Sequence, residues 1–230
     1  MKNNYNDVID VISNFIEDEE ILNGTLVSGS IVPYLIEKKE CPFFIVDLCI
    51  YVKSKKIDLV RKKIVKLSKE YDFSIESDST SYSDIDYGFK IKYQDTLVRF
   101  YPYSIINNNL IINTYEIKKD KKIVELKQKK IPDVLKQDLI RRIEFNDKLL
   151  RIFTPEFILA TLEVKDENKI DIIKELDSIS DEEVVSRLRR KITQAKNTYY
   201  EEEIKGNKVL LIAVIFVLLI LVGVIFLLLR

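Results

Sequence analysis

The chain has 230 residues, with 37 basic against 37 acidic side chains, no His, no Trp, two Cys, five Gly and five Pro. The lack of His excludes Ser-His and Cys-His couples and His-ligated zinc or haem, and two Cys build neither a zinc site alone nor a disulfide framework. With 32% charged and 47% hydrophobic residues, the composition is that of a folded globular chain, long enough for one soluble domain plus additions.

Val8, Val11, Ile12, Phe15 and Ile16 recur at helical spacing, which predicts an amphipathic helix ending near Glu20. A short strand follows at Gly24–Val27, then a short helix over Ile31–Glu37 with Pro33 in its first turn. Phe43 to Val52 is almost wholly apolar and reads as a central strand buried on both faces. Ile57, Val60, Ile64, Leu67 and Tyr71 give a second amphipathic helix, and Phe73–Glu76 a strand. Ile85, Tyr87, Phe89, Ile91 and Tyr93 alternate strictly with polar residues or glycine, the pattern of a strand with one wet face. Leu97–Tyr101 is another strand, and Leu110–Ile117 with Ile123–Leu126 suit a hairpin turning near Asp120.

Beyond that hairpin the chain reads as mostly helical. A small strand pair, Ile143–Phe145 and Leu149–Ile152, turns at Asn146-Asp147. Thr154 caps a helix with Pro155 at its first position. Ser180 and Glu183 form a capping box before the stripe Val184, Leu188, Ile192, Ala195 and Tyr199, and Gly206-Asn207 breaks the chain after it. Val209 to Leu229 is then a run of 21 residues without a charge. As a helix it spans about 31 Å, the thickness of a bilayer's hydrocarbon core. Lys205 and Lys208 precede it and only Arg230 follows, so the positive-inside bias places residues 1–208 in the cytoplasm, against the opposing Glu201, Glu202 and Glu203. The start of the chain has no apolar run and is no signal peptide. The expected topology is a single-pass, tail-anchored membrane protein, with Cys41 and Cys49 kept reduced in the cytosol.

Without Arg230 the charged residues number 36 basic and 37 acidic, a net of −1, so global charge carries no nucleic-acid signal. Two basic segments stand out: Lys118, Lys119, Lys121, Lys122, Lys127, Lys129 and Lys130, and Arg187, Arg189, Arg190 and Lys191. Each is a solvated face in the simplest reading, or a contact for anionic lipid or a phosphate-bearing ligand.

Chemistry concentrates at two places. Leu26-Val27-Ser28-Gly29-Ser30 ends a strand and opens a helix, where backbone N–H groups meet a phosphate. In Phe43–Val52, Asp47 is the only charged residue and shares a face with Cys49. A lone buried carboxylate needs a partner, a proton or a metal.

This arrangement resembles the nucleotidyltransferase superfamily (polymerase-beta-like): a strand, Gly29-Ser30, a helix, then a strand carrying Asp-x-Asp or Asp-x-Glu at Asp47. Ser30 stands seventeen positions before Asp47, somewhat more than in minimal members. Leu149–Ala160, with Thr154-Pro155-Glu156 at its centre, followed by Lys169-Ile170-Asp171-Ile172, is similar to the tail of bacterial and archaeal nucleotidyltransferase-like proteins. The likeness runs over residues 20–177. With the element pattern it implies an α+β fold, with a nucleotidyltransferase-like core with a mixed sheet over 1–130 and a helical C-terminal part of the same soluble unit over 131–204, to which the apolar run adds a transmembrane tail anchor over 205–230. It also implies nucleotide contacts at Gly29, Ser30, Asp47 and Arg99, with Asp47 as metal ligand and catalytic carboxylate if the protein is active.

Active members hold two Mg²⁺ ions with three carboxylates. Here the second position is Cys49, a soft ligand ill-suited to Mg²⁺. Leu97–Pro102 is the best match to the third strand, and it carries Arg99 where an Asp is expected, a cation able to pair with Asp47. The lysine usual after the Pro-Glu helix start is absent near Thr161-Leu162. Asp84 and Asp86 are a spare same-face carboxylate pair. Three readings follow: a catalytically degenerate, membrane-anchored module binding a nucleotide or a protein partner at the cytosolic face; an active Mg²⁺-dependent nucleotidyltransferase; or a structural tail-anchored adaptor whose cleft is filled by side chains.

Overall fold

The computed structural model of the chain describes residues 4–42, 44–45, 48–77, 81–118, 123–162 and 170–203. Residues 1–115 with 126–200 form one compact unit, and residues 116–125 with 201–230 a second. Among the described residues of the second unit, Lys118 and Glu125 form an ion pair.

The first amphipathic stretch is helix α1 (Tyr5–Glu17), with Val8, Val11, Ile12, Phe15 and Ile16 all buried. Asp18 then breaks the helix and caps α2 (Glu19–Leu22), its carboxylate accepting from the N–H groups of Glu20 and Ile21. Strand β1 (Thr25–Gly29) and helix α3 (Val32–Glu37) stand where expected. Strand β2 runs only over Leu48–Lys53. Phe44 and Ile45 lie outside it, and Phe43, Val46 and Asp47 are outside the described residues. The physical reason for the late start is Asn4. Its side chain accepts from Ile45 N–H at 2.7 Å and donates to Ile45 C=O at 3.1 Å, so both backbone groups are satisfied without a strand neighbour.

A 3-10 turn (Ser54–Lys56) leads into α4 (Ile57–Leu67), with Ile57, Val60 and Ile64 buried. Strands β3 (Ser74–Ser77), β4 (Ser81–Tyr82), β5 (Ile85–Asp86), β6 (Phe89–Tyr93), β7 (Thr96–Ile106), β8 (Asn109–Lys118) and β9 (Ile123–Ile131) follow. The alternating segment at 85–93 is thus two strands rather than one. Gly88 separates them at φ +104°, and a Cβ there would stand 1.9 Å from the Phe100 carbonyl oxygen. The turn Asn107-Asn108 has both residues at positive φ, which Asn tolerates and a hairpin requires.

The segment after Leu126 is less helical than its sequence suggests. After β9 come α5 (Lys136–Leu139) and the hairpin β10 (Ile140–Phe145) and β11 (Lys148–Phe153), turning at Asn146-Asp147 as expected. Then come α6 (Pro155–Thr161), capped by the Thr154 hydroxyl, α7 (Ile170–Ser178) and α8 (Glu182–Thr193). Asp181, not Ser180, caps α8, because its carboxylate accepts from both Glu183 and Val184 N–H. The helix ends at Thr193, so Ala195 and Tyr199 leave its stripe. Lys196–Glu203 forms β12, in keeping with the aromatic and β-branched run Thr198-Tyr199-Tyr200.

One mixed sheet of the described residues runs β10-β11-β1-β2-β7-β8-β9-β12, with β6 on the first half of β7 and β3 on β6. The pairs β1–β11 and β2–β7 are parallel, and β1–β2 is antiparallel. Leu48, Ile50 and Val52 point to the helices, where Phe15 of α1 meets Phe100 at 5.4 Å. Cys49 and Tyr51, on the other face, are half-buried, which corrects the expectation of a strand buried on both sides. No helix among the described residues is long and apolar enough to cross a membrane, and the expected span Val209–Leu229 lies outside them.

Gly88→Ala combines a backbone angle that side chains rarely adopt with a clash against backbone. It is expected to cost more than about 2 kcal/mol, read as a lower urea midpoint at unchanged slope.

Candidate functional site

Side chains in register across a sheet share a face. Ser28 pairs with Cys49, Cys49 with Arg99, and Arg99 with Lys90. Four strands therefore present Ser28, Cys49, Arg99 and Lys90 as one row on the face away from α1. At the same level, Gly29 ends β1 with φ +109°, a conformation that glycine adopts at no steric cost. Ser30 follows in the turn, 2% exposed, and leads into α3, whose first N–H groups no side chain caps. The structure thus brings Gly29, Ser30, Cys49 and Arg99 to one end of the central strands. Asp47 lies outside the described residues, as does Lys169.

Beside this row the face is aromatic. Tyr51 contacts Tyr101 at 6.1 Å and Phe153 at 4.8 Å, and Tyr101 meets Tyr115 edge-on at 6.2 Å. The Lys90 ammonium stands 4.6 Å over the Tyr115 ring. Phe153 continues into α6 through Phe157, at 4.7 Å. Alternation from Cys49 to Tyr51, and from Arg99 to Tyr101 and Tyr103, carried this signal in the sequence. The pairing of Lys90 with Arg99 depends on register and had no local sign.

The spare carboxylates are engaged elsewhere or exposed. Asp86 accepts from Arg61 at 2.5 Å and from Gly88 N–H at 2.7 Å, while Arg61 also covers the Phe89 ring on the helix side of the sheet. Asp84 is an exposed turn residue with φ +64°. Among the described residues, no three His, Cys, Asp or Glu side chains gather as a metal site. A thiol and a guanidinium are a poor donor set for Mg²⁺. Cys41 and Cys49 form no disulfide.

Several cations of the basic segments have partners. Arg187 binds the buried Asp138 at 3.0 Å, Lys191 meets Asp133 at 3.5 Å, and Lys127 lies over Tyr199 at 5.3 Å. Lys119, Lys121 and Lys122 are outside the described residues.

Asn4 is a site residue with no sequence signal. Only 3% exposed, it brackets Ile45 and donates to Thr96 at 3.3 Å, tying the entry of β2 to β7. Asn4→Ala leaves buried backbone groups of Ile45 unpaired. A loss of about 2–4 kcal/mol is expected in urea unfolding, whereas Asn4→Asp keeps the acceptor and loses less.

No protein-family model and no curated protein matches the sequence. Solved structures do. The lincosamide antibiotic adenylyltransferase LnuA, with lincomycin bound, aligns over 78% of this chain and all of its own, at TM-score 0.50 and 15% identity. Antibiotic-resistance factor ANT(2'')-Ia aligns over 83% of this chain and 93% of its own, at TM-score 0.53 and 13% identity. In complex with adenylyl-2''-tobramycin it aligns over 81% and 97%, at TM-score 0.52 and 14% identity. The chain has the nucleotidyltransferase fold.

Proposed function

We propose that this nucleotidyltransferase fold serves a catalytically degenerate, membrane-anchored protein that binds a nucleotide, or a protein partner, at the cytosolic face. The observation that carries the reading is Arg99 in register with Cys49, beside Gly29 and Ser30. Neighbouring strands lie about 5 Å apart. At that distance and an effective dielectric near 20, a guanidinium repels a divalent cation by roughly 7 kcal/mol. That repulsion offsets part of the attraction that a carboxylate at Asp47 would supply to the metal. The same guanidinium attracts a phosphate, with Lys90 one strand further supplying a second cation. Gly29, Ser30, Asp47 and Arg99 are the residues assigned to nucleotide contact.

An active Mg²⁺-dependent transferase is the competing reading, favoured by the adenylyltransferases among similar structures and by the carboxylate of Asp47. A structural adaptor is the third, favoured by Tyr101 and Tyr103, 8% and 2% exposed, which already fill much of the face.

The test uses the full chain in detergent micelles, with thermal unfolding followed against the four nucleoside triphosphates, with and without Mg²⁺. Metal-independent stabilisation that disappears in Arg99→Gln is the expected result. Stabilisation that requires Mg²⁺ and vanishes in Asp47→Asn points instead to an active transferase. No shift with any nucleotide leaves the adaptor.

The anchor rests on the 21-residue apolar run Val209–Leu229. On this reading the full chain stays with membranes through alkaline carbonate extraction, and a tag before Met1 is digested by protease added to the cytosolic side. Release into the supernatant, or protection of the tag, overturns the topology.

A further inference from the structure

At the other end of β2, five elements gather five cations. Lys53 ends β2, Lys56 closes the 3-10 turn, Lys136 opens α5, and Arg142 pairs with Arg151 across β10 and β11. A cavity of about 570 Å³ is lined by Lys136, Gln137, Ile140, Arg142 and Arg151. From Cys49 to Lys53 is four residues along the strand, about 13 Å, so this pocket is separate from the Cys49–Arg99 row.

The charges here are not balanced. Among the described residues, none of the five cations has an acidic partner within ion-pair distance, whereas Arg61, Lys63 and Arg187 each do. The Lys53 ammonium is held below the usual lysine range, first by desolvation and then by Arg151, Lys56 and Lys136. Like charges therefore act on one another with no carboxylate between them. The arrangement is also anchored. Arg151 donates to the Asn23 carbonyl at 3.0 Å, and its guanidinium lies beside the buried Tyr103 hydroxyl, whose pKa burial raises and Arg151 opposes. A held guanidinium presents its remaining N–H groups at little further entropic cost, which suits a tetrahedral oxyanion.

The rim is apolar. Leu135, next to Lys136, is 47% exposed, and Ile106 at the end of β7 is 54% exposed. The Val134 N–H bond to the Asn108 carbonyl, at 2.8 Å, joins the two segments that carry them. A solvated lysine face gains nothing from two exposed aliphatic side chains, whereas a phosphate on an acyl-bearing molecule meets both features.

We infer that the pocket between α5 and the β10–β11 hairpin binds a phosphate group through Lys136, Arg142 and Arg151. The phosphate comes from a soluble phosphate compound or from an anionic phospholipid headgroup. This site does not depend on the nucleotide reading of the opposite end of the sheet.

Two arms distinguish the sources. In the first, the full chain in detergent micelles is unfolded thermally in inorganic pyrophosphate, against chloride at equal ionic strength. In the second, it is placed in nanodiscs of phosphatidylcholine with and without phosphatidylinositol phosphate, and amide exchange is followed at residues 135–142. The variants are Lys136→Gln with Arg142→Gln, both exposed positions, and Arg142→Lys, which keeps the charge. A saturable stabilisation by pyrophosphate, weakened at least tenfold in the double variant and retained in Arg142→Lys, establishes the site for soluble phosphate. Slowed exchange only with the anionic lipid, lost in the double variant, establishes it for a headgroup. Flat responses in both arms overturn the site, as does any response that the double variant leaves unchanged, since binding then lies elsewhere.

Discussion

The constraint on which this molecule depends is the position of β2, paired antiparallel to β1 and parallel to β7. A strand paired on both sides has its register set twice, and a slip of one residue would exchange its faces. Leu48, Ile50 and Val52 must lie toward α1 and α4 to join the apolar core, so Cys49 and Tyr51 are forced to the other face. The same choice in β7 puts Val98 and Phe100 into that core and Arg99 and Tyr101 on the opposite face. Burying a side chain the size of Ile or Phe contributes about 1.5–3 kcal/mol. Several such side chains hold the register far more firmly than any interaction on the polar face could shift it. The core therefore determines which residues face the site.

Asn4 adds the second condition. Because its amide takes both backbone groups of Ile45, the chain is released from pairing before β2 begins. An extended strand from Phe43 would have kept that approach in the ladder. The bracket instead holds Ile45 outside the strand, and Leu48 is the residue of β2 that pairs with Gly29. Asn4, at the start of α1, thus fixes a segment 41 positions away in sequence, just ahead of the strand that pairs Cys49 with Arg99.

Much of this was legible from local pattern. The helices α1 and α4, strand β1, the Thr154 cap and the turn at Asn146-Asp147 each rest on periodicity or on a side chain bonding its own backbone neighbours. The misreadings were tertiary. Ala195 and Tyr199 continue a helical stripe on paper, but the aromatic run pairs onto β9, and propensity yields to a sheet edge. The alternation from Ile85 to Tyr93 hid a break, since Gly88 counts as a polar-face residue until the Phe100 carbonyl is seen to occupy its Cβ position. At the site, Gly29-Ser30 and Arg99 could be chosen from the family resemblance. The row that joins Arg99 to Lys90, and the gathering of Lys136, Arg142 and Arg151, exist only once strands are in register.

The pocket between α5 and the β10–β11 hairpin differs from the rest of the fold in how its charge is handled. Elsewhere the fold neutralises cations where it buries or fixes them: Arg61 by Asp58 and Asp86, Lys63 by Asp18 and Glu20, Arg187 by Asp138. The chain has 37 acidic residues to match its 37 basic ones, so it does not lack carboxylates to place. Lys53, Lys136, Arg142 and Arg151, around that pocket, are left without acidic partners among the described residues. Like charges held together destabilise a folded chain unless something negative offsets them. A bound anion there removes that penalty. There the neutralising charge that Asp58, Asp86, Asp18, Glu20 and Asp138 supply elsewhere has no side chain to supply it among the described residues, and on the inference drawn above it comes from a bound phosphate.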